Sequence, residues 1–103
     1  MLIMDAVDVN GTCLQGEINI TFAQLVKVFG APTWSADELD KSDAEWDGSI
    51  DGQVFTIYNY KDGINYLGNK GKAVEDITDW HIGGKTKDVV ILLTQYITAK
   101  LKG

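Results

Sequence analysis

Alternation of apolar and polar residues around one turn dipeptide is the clearest pattern in this sequence. Asp51-Gly52 is a strong signal for a two-residue hairpin turn. With this turn, Trp46 faces Ile57 and Gly48 faces Phe55. Because side chains alternate across a sheet, the hairpin has a core set and an outer set. The core set is Trp46, Ile50, Phe55 and Ile57, and the outer set is Glu45, Asp47, Ser49, Val54, Thr56 and Tyr58.

Two helices are predicted outside the hairpin. Apolar residues recur at helical spacing from Phe22 to Phe29, with Thr21 as a suitable N-cap and Gly30 as a stop. Thr86 is expected to cap a second helix, which carries apolar residues between positions 89 and 101.

The remaining segments complete a predicted sheet. Residues 2–9 and 74–82 are predicted strands, 64–72 a glycine-broken loop, and 12–20 either a strand or a loop. Asn10-Gly11 is expected to turn the chain after the first strand, and Gly83-Gly84 to end the last. The order β-α-β-β-β-α indicates an α+β fold, with a mostly antiparallel sheet and both helices packed on one face. We expect residues 1–103 to form a single domain.

Aromatic side chains collect on the predicted outer face. Because the apolar residues of a strand face the core, we expect Trp80 and Ile82 to point inward. His81 then points outward and lies beside Tyr58 if the two strands are neighbours. Tyr60 continues the same face. Such rings can stack on planar ligands, although tyrosine is also favoured in strands irrespective of function.

Negative charge is concentrated in one segment. Residues 37–51 contain seven acids, Asp40 among them, and only Lys41 as a base, so this segment carries the whole net charge of −6. It is either a partner surface or a solvated acidic loop. All basic residues are lysines, and a chain that is acidic and lacks arginine is a poor binder of nucleic acid.

Candidate chemical motifs are incomplete. Gly84-Lys85-Thr86 matches only the end of a phosphate-binding loop, and residues 43–48 match only the start of a calcium loop. One histidine and one cysteine provide no zinc ligand set. His81 could pair with Asp79 or Asp47, but no nucleophile accompanies it. We therefore expect no metal, no cofactor, no catalytic residue and no enzymatic activity.

The compartment follows from cysteine content and hydropathy. Cys13 is the only cysteine, so no internal disulfide can form, and we expect its side chain to be buried. No apolar run is long enough to span a membrane, and residues 1–9 lack the basic start of a signal peptide. These features favour the cytosol.

Three segments carry a family resemblance. They are Asp43-Ala44-Glu45-Trp46, residues 57–63 (IYNYKDG) and residues 77–84 (ITDWHIGG). In this order they resemble small uncharacterised proteins of tailed bacteriophages, over roughly residues 11 to 84. The resemblance implies a phage accessory protein in the host bacterial cytosol, and such proteins often act against host defences.

Two functional hypotheses follow. In the first, the protein sequesters a small polar ligand, such as a nucleotide immune signal, through Tyr58, Tyr60, Lys61, Tyr66, Lys70 and His81. In the alternative, Asp43, Glu45 and Asp47 form an acidic edge that mimics nucleic acid and inhibits a host defence protein. A virion role and a homo-oligomer are also compatible with the sequence.

Overall fold

An antiparallel sheet backed by helices forms the described part of the protein, residues 2–5, 8–39 and 41–102 of a computed structural model. The strands are β1 (Leu2–Met4), β2 (Cys13–Asn19), β3 (Trp34–Ser35), β4 (Ala44–Ile50), β5 (Gln53–Tyr58) and β6 (Asp79–Gly84). The helices are α1 (Phe22–Phe29), α2 (Ile64–Leu67) and α3 (Asp88–Lys102), with 3₁₀ turns at Gly68–Lys70 and Val74–Asp76. The strand order is β1-β4-β5-β6-β2, and β3 pairs with the free edge of β4 beside β1.

The predicted hairpin is confirmed. Asp51 and Gly52 both have positive φ angles, 50° and 80°, as a two-residue turn requires. Trp46 pairs with Ile57 and Gly48 with Phe55. A Cβ on Gly48 would lie 3.0 Å from the Phe55 ring, so the ring does cover the glycine.

Helix α1 has the predicted boundaries. The Thr21 hydroxyl accepts a hydrogen bond from the backbone N–H of Gln24, and the Gln24 side chain accepts one from the Thr21 N–H. This reciprocal pair is a capping box, which satisfies two donors at the helix start. At the other end Gly30, with φ 84°, donates its N–H to the Val26 carbonyl.

The core lies between one face of the sheet and helices α1 and α3. Trp46 and Trp80 are fully buried, with ring centres 5.5 Å apart in an edge-to-face arrangement. Phe22 of α1 contacts both indoles, at 5.7 and 6.4 Å. Helix α3 contributes buried side chains at Val89, Leu93 and Ile97.

The structure decides one alternative that the sequence left open and corrects three element predictions. Residues 12–20 are mostly strand β2, which lies at the sheet edge beside β6. Residues 64–67 form a helix rather than a loop, and strand β6 begins at Asp79 after a 3₁₀ turn rather than at position 74. In the predicted first strand only 2–4 are strand, and residues 6 and 7 lie outside the described residues.

Local contacts explain three further differences. Gly83 and Gly84 belong to β6 rather than ending it, because both pair with β2 and β5. Glycine is needed at both positions, since Thr56 and Val89 pack where side chains would be. Thr86 does not cap α3, since its hydroxyl donates to the Gln53 side chain and the helix begins at Asp88. Cys13 is exposed rather than buried, because β2 is an edge strand.

Replacement of Trp46 by alanine tests the core. We expect Trp46→Ala to lower the free energy of unfolding by about 3–5 kcal/mol, since it removes a fully buried aromatic ring. The Ile91→Ala change, at a 58% exposed position of α3, is the control and should cost under about 0.5 kcal/mol. Urea unfolding measures both, and equal effects of the two changes would contradict this core assignment.

Candidate functional site

A row of five side chains crosses the outer face of the sheet, each opposite the next on a neighbouring strand. Strand pairing places Glu17 opposite His81, His81 opposite Tyr58, Tyr58 opposite Glu45, and Glu45 opposite Trp34. We call these five residues the outer-face row. The prediction that His81 and Tyr58 are neighbours on the outer face is therefore confirmed.

Three rings come together at the middle of this face. The His81 ring lies 5.4 Å from that of Tyr58, edge to face, and 6.1 Å from that of Tyr60. Gly83 lies beside these rings, and it is the Thr56 hydroxyl that requires a glycine there, because a Cβ on Gly83 would lie 2.5 Å from it. Tyr60 remains 44% exposed, so a ligand can reach it from solvent.

A lysine links a fourth ring to this group. The Lys61 ammonium lies 5.2 Å from the centres of both the Tyr60 and Tyr66 rings, which is a cation–π arrangement. We call Tyr58, Tyr60, Lys61, Tyr66 and His81 the ring cluster. Lys70, the remaining predicted ligand residue, is exposed at the end of a 3₁₀ turn, and the described contacts do not bring it into the cluster.

A buried asparagine holds the segment that carries Tyr60 and Lys61. Asn59 is fully buried, and its side-chain oxygen accepts hydrogen bonds from the backbone N–H groups of Asp43 and Ala44, at 2.8 and 3.3 Å. Its amide group donates to the carboxylates of Asp43 and Asp62, at 2.9 and 3.0 Å. All four hydrogen-bonding positions of the asparagine amide are thus used.

Further hydrogen bonds extend this arrangement into the following loop. The second Asp43 oxygen accepts from the Asn65 N–H at 3.2 Å, and the Ser42 hydroxyl donates to the Asn59 carbonyl. We call Ser42, Asp43, Asn59, Asp62 and Asn65 the polar network. It ties the start of β4, the end of β5 and helix α2 together, so the ring cluster is preorganised.

Two backbone features show how tightly the loop is packed. Lys61 has a φ of 61°, unusual for a residue with a side chain, and its N–H donates to the Lys41 carbonyl at 2.9 Å. A Cβ on Gly63 would lie 2.0 Å from an Asp43 carboxylate oxygen, so only glycine fits there. Strained backbone of this kind persists where its surroundings fix it.

The polar network was missed in the sequence, although a signal for it exists. Alternation that places Tyr58 and Tyr60 outward places Asn59 inward with Ile57. A buried asparagine needs hydrogen-bond partners, and Asp43 and Asp62 are acidic residues close to the two strand ends.

The three carboxylates of the alternative hypothesis do not form an exposed edge. Asp43 belongs to the polar network, and Asp47 is only 2% exposed. One Asp47 oxygen accepts a hydrogen bond from the Trp34 indole at 2.8 Å, and the other is buried without a hydrogen-bond partner among the described residues. Asp40, also in the acidic segment, lies outside the described residues.

Glu45 and Asp47 form a close acidic pair. Burial, followed by a hydrogen bond to Asp47 and repulsion by its charge, raises the pKa of Glu45 from 4.5 to about 8. Burial, and then the charge of Glu45, raises the pKa of Tyr58 as well. This raised pKa favours the protonated form of Glu45 near neutral pH, so the outer face carries less negative charge than the sequence indicates.

Other sites are less suited to chemistry. A groove of about 390 Å³ opens between α1 and the segment after β3, with Phe22, Pro32, Asp37 and Val74 in its lining.

The described residues contain no group of three or more histidine, cysteine or acidic side chains able to hold a metal ion. None of the described helices is both long and apolar enough to cross a membrane.

Substitution of Asn59 tests the polar network. We expect Asn59→Ala to lower the free energy of unfolding by about 2–4 kcal/mol, because it leaves buried groups without partners. Asn59→Asp, of nearly equal size, should be at least as harmful, since it adds a negative charge between Asp43 and Asp62. Urea unfolding is the measurement, with exposed Asn69→Ala as control. A stable Asn59→Asp protein would show that the network does not hold this loop.

The acidic pair predicts a pH dependence of stability. The Glu45 carboxyl titrates near 4.5 when unfolded and near 8 when folded, so the folded protein holds an extra proton between these values. The free energy of unfolding should therefore fall as pH rises from about 4.5 to about 8. Glu45→Gln should flatten this slope and raise the melting temperature at pH 8.5 above that of the wild type. The control is exposed Glu75→Gln, and identical slopes for wild type and Glu45→Gln would contradict the prediction.

Comparison with protein-family models and with curated proteins finds no match to this sequence. The resemblance to small phage proteins therefore rests on the three motifs and stays a prediction. Two of these motifs supply four of the five residues of the ring cluster, since residues 57–63 carry Tyr58, Tyr60 and Lys61 and residues 77–84 carry His81.

Proposed function

We propose that this protein is a non-enzymatic binding protein that captures a nucleotide on the outer face of its sheet. The ring cluster is the observation that carries this proposal. Its neighbouring members lie 5.2 to 6.1 Å apart, and the polar network anchors the segment that carries Tyr60 and Lys61.

Stacking supports the choice of a planar ligand. Each base stacked on an aromatic side chain contributes about 1–3 kcal/mol, and a rigid ring loses little entropy on binding. Tyr60 and Tyr66 are 44% and 46% exposed, so a ligand can reach them, whereas Tyr58 and His81 form the floor behind them.

One cation belongs to the cluster. The Lys61 ammonium, beside the Tyr60 and Tyr66 rings, is the group that meets phosphate, and Lys70, exposed beyond α2, is a second lysine available to a longer ligand. Lysine binds phosphate as a point charge, which suits a chain without arginine. With Glu45 protonated, the neighbouring sheet surface repels an anionic ligand less.

The contacts of His81 support binding rather than turnover. Its ring contacts Tyr58 and Tyr60, and its Nε2 atom lies 3.4 Å from a Glu17 oxygen. These neighbours stack and accept hydrogen bonds, and none of them is a serine or cysteine that His81 would activate as a nucleophile. In the phage interpretation, the captured ligand is a nucleotide immune signal of the host.

A matched pair of lysine variants tests the proposal. Lys61 and Lys100 both lie over a tyrosine ring, at 5.2 and 5.5 Å, but Lys100 lies on α3 beside Tyr96. We expect Lys61→Ala and His81→Ala each to weaken nucleotide binding by about 1–3 kcal/mol, and Lys100→Ala to leave it unchanged. Titration calorimetry with guanosine and adenosine monophosphates measures this, and native mass spectrometry of purified protein detects any nucleotide already bound.

Two outcomes would contradict the proposal. If neither nucleotide binds and none co-purifies, the protein is not a nucleotide-binding protein. If wild type converts the nucleotide to a product and His81→Ala does not, the protein is an enzyme.

A further inference from the structure

The two sides of the ring cluster differ in hydrogen-bonding character. Lys61, which only donates, lies 5.2 Å from the Tyr60 ring centre, and His81 lies 6.1 Å from the same ring. Beyond His81, on edge strand β2, lies the carboxylate of Glu17, which only accepts. A ligand that spans the cluster therefore meets a cation at one end and an anionic acceptor at the other.

Glu17 is placed to contact a ligand. It pairs directly with His81 across β2 and β6, and one carboxylate oxygen lies 3.4 Å from His81 Nε2. The side chain of Glu17 is 67% exposed, against 23% for that of His81. The carboxylate thus keeps accepting positions toward solvent at the rim of the rings.

The register of this strand supports the placement. A bulge lies between Leu14 and Gly16, and the Gln15 amide donates to the Gly84 carbonyl at 3.0 Å. The strand after the bulge pairs regularly with β6 from Gly16 to Asn19. Glu17 is therefore fixed on the outer face, whereas Ile18 turns inward beside Trp80.

Hydrogen-bonding chemistry distinguishes the bases at such a carboxylate. Guanine presents two adjacent donors, N1–H and the N2 amino group, which one carboxylate accepts together. Adenine presents an acceptor, N1, next to its amino group. The lone pair of N1 would therefore face the negative charge of the carboxylate. Hydrogen bonds to a charged partner contribute about 1.5–3 kcal/mol, enough to decide between the two.

We propose that Glu17 makes this site selective for guanine nucleotides, by accepting hydrogen bonds from N1–H and the N2 amino group. The base lies against the His81 and Tyr60 rings, and the phosphate extends toward Lys61. This inference rests on the proposed nucleotide-binding function.

The test is titration calorimetry with three monophosphates: guanosine, inosine and adenosine. Inosine keeps N1–H but lacks the N2 amino group, so the expected order of affinity is guanosine, inosine, adenosine, with at least about ten-fold between first and last. Glu17→Gln has nearly the same size but offers one acceptor oxygen. It should weaken guanosine monophosphate binding at least about ten-fold. It should strengthen adenosine monophosphate binding, because the negative charge that faces adenine N1 is gone and the amide of glutamine can donate to that nitrogen.

The control is Glu75→Gln, which makes the same charge change at an exposed position outside the ring cluster, on a 3₁₀ turn that packs near α1. If wild type binds guanosine and adenosine monophosphates equally well, or if Glu17→Gln keeps the wild-type preference, guanine selectivity is wrong while nucleotide binding stands. If no monophosphate binds at all, the proposed function and this inference fail together.

Discussion

The buried amide of Asn59 is the constraint on which the candidate site depends. A polar group with no access to water must have its hydrogen bonds satisfied by the protein, and here both its acceptor and its donor positions are used. Its partners lie at the start of β4 and in the loop after β5, so one side chain joins two segments separated by the hairpin. Tyr60 and Lys61 come directly after Asn59 in the sequence. The hydrogen bonds of Asn59 therefore fix the backbone that places the Tyr60 ring beside His81.

The two faces of the sheet show how the same alternation separates the apolar core from the candidate site. Trp46, Phe55, Ile57 and Trp80 are all fully buried on the helical side, which contributes most of the apolar packing. On the other side, Asp47 and Thr56 are also buried, so the outer face is not uniformly open. Trp34 lies near Asp47 at one end of the outer-face row, and Glu17 is exposed at the other. The accessible part of this face is therefore the ring cluster and its β2 side.

Local signals predicted the parts of the structure that short-range physics determines. The Asp51-Gly52 turn sets the register of β4 and β5, and Thr21 with Gly30 sets the ends of α1. The pairing of Tyr58 with His81 was predictable only as a condition, since alternation gives the face but not which strands are neighbours.

The failures involve contacts distant in sequence. The exposure of Cys13 follows from β2 lying at an edge, which nothing in its own residues indicates. The acidic edge predicted from the charge pattern does not form, because Asp47 is buried and Asp43 is hydrogen-bonded within the polar network. Glu17, the residue that we infer to select the base, gave no signal in the sequence because its partner His81 lies on a strand far along the chain.

The most direct test of this account is an NMR titration of isotopically labelled protein with guanosine monophosphate. The account predicts that the ring signals of Tyr58, Tyr60, Tyr66 and His81 shift together as nucleotide is added, because a stacked base alters the shielding of adjacent rings. Signals of Tyr96 and of the buried Trp46 and Trp80, on the helical side, should stay in place. Shifts confined to the groove near Phe22 and Pro32, with the ring cluster unchanged, would contradict it.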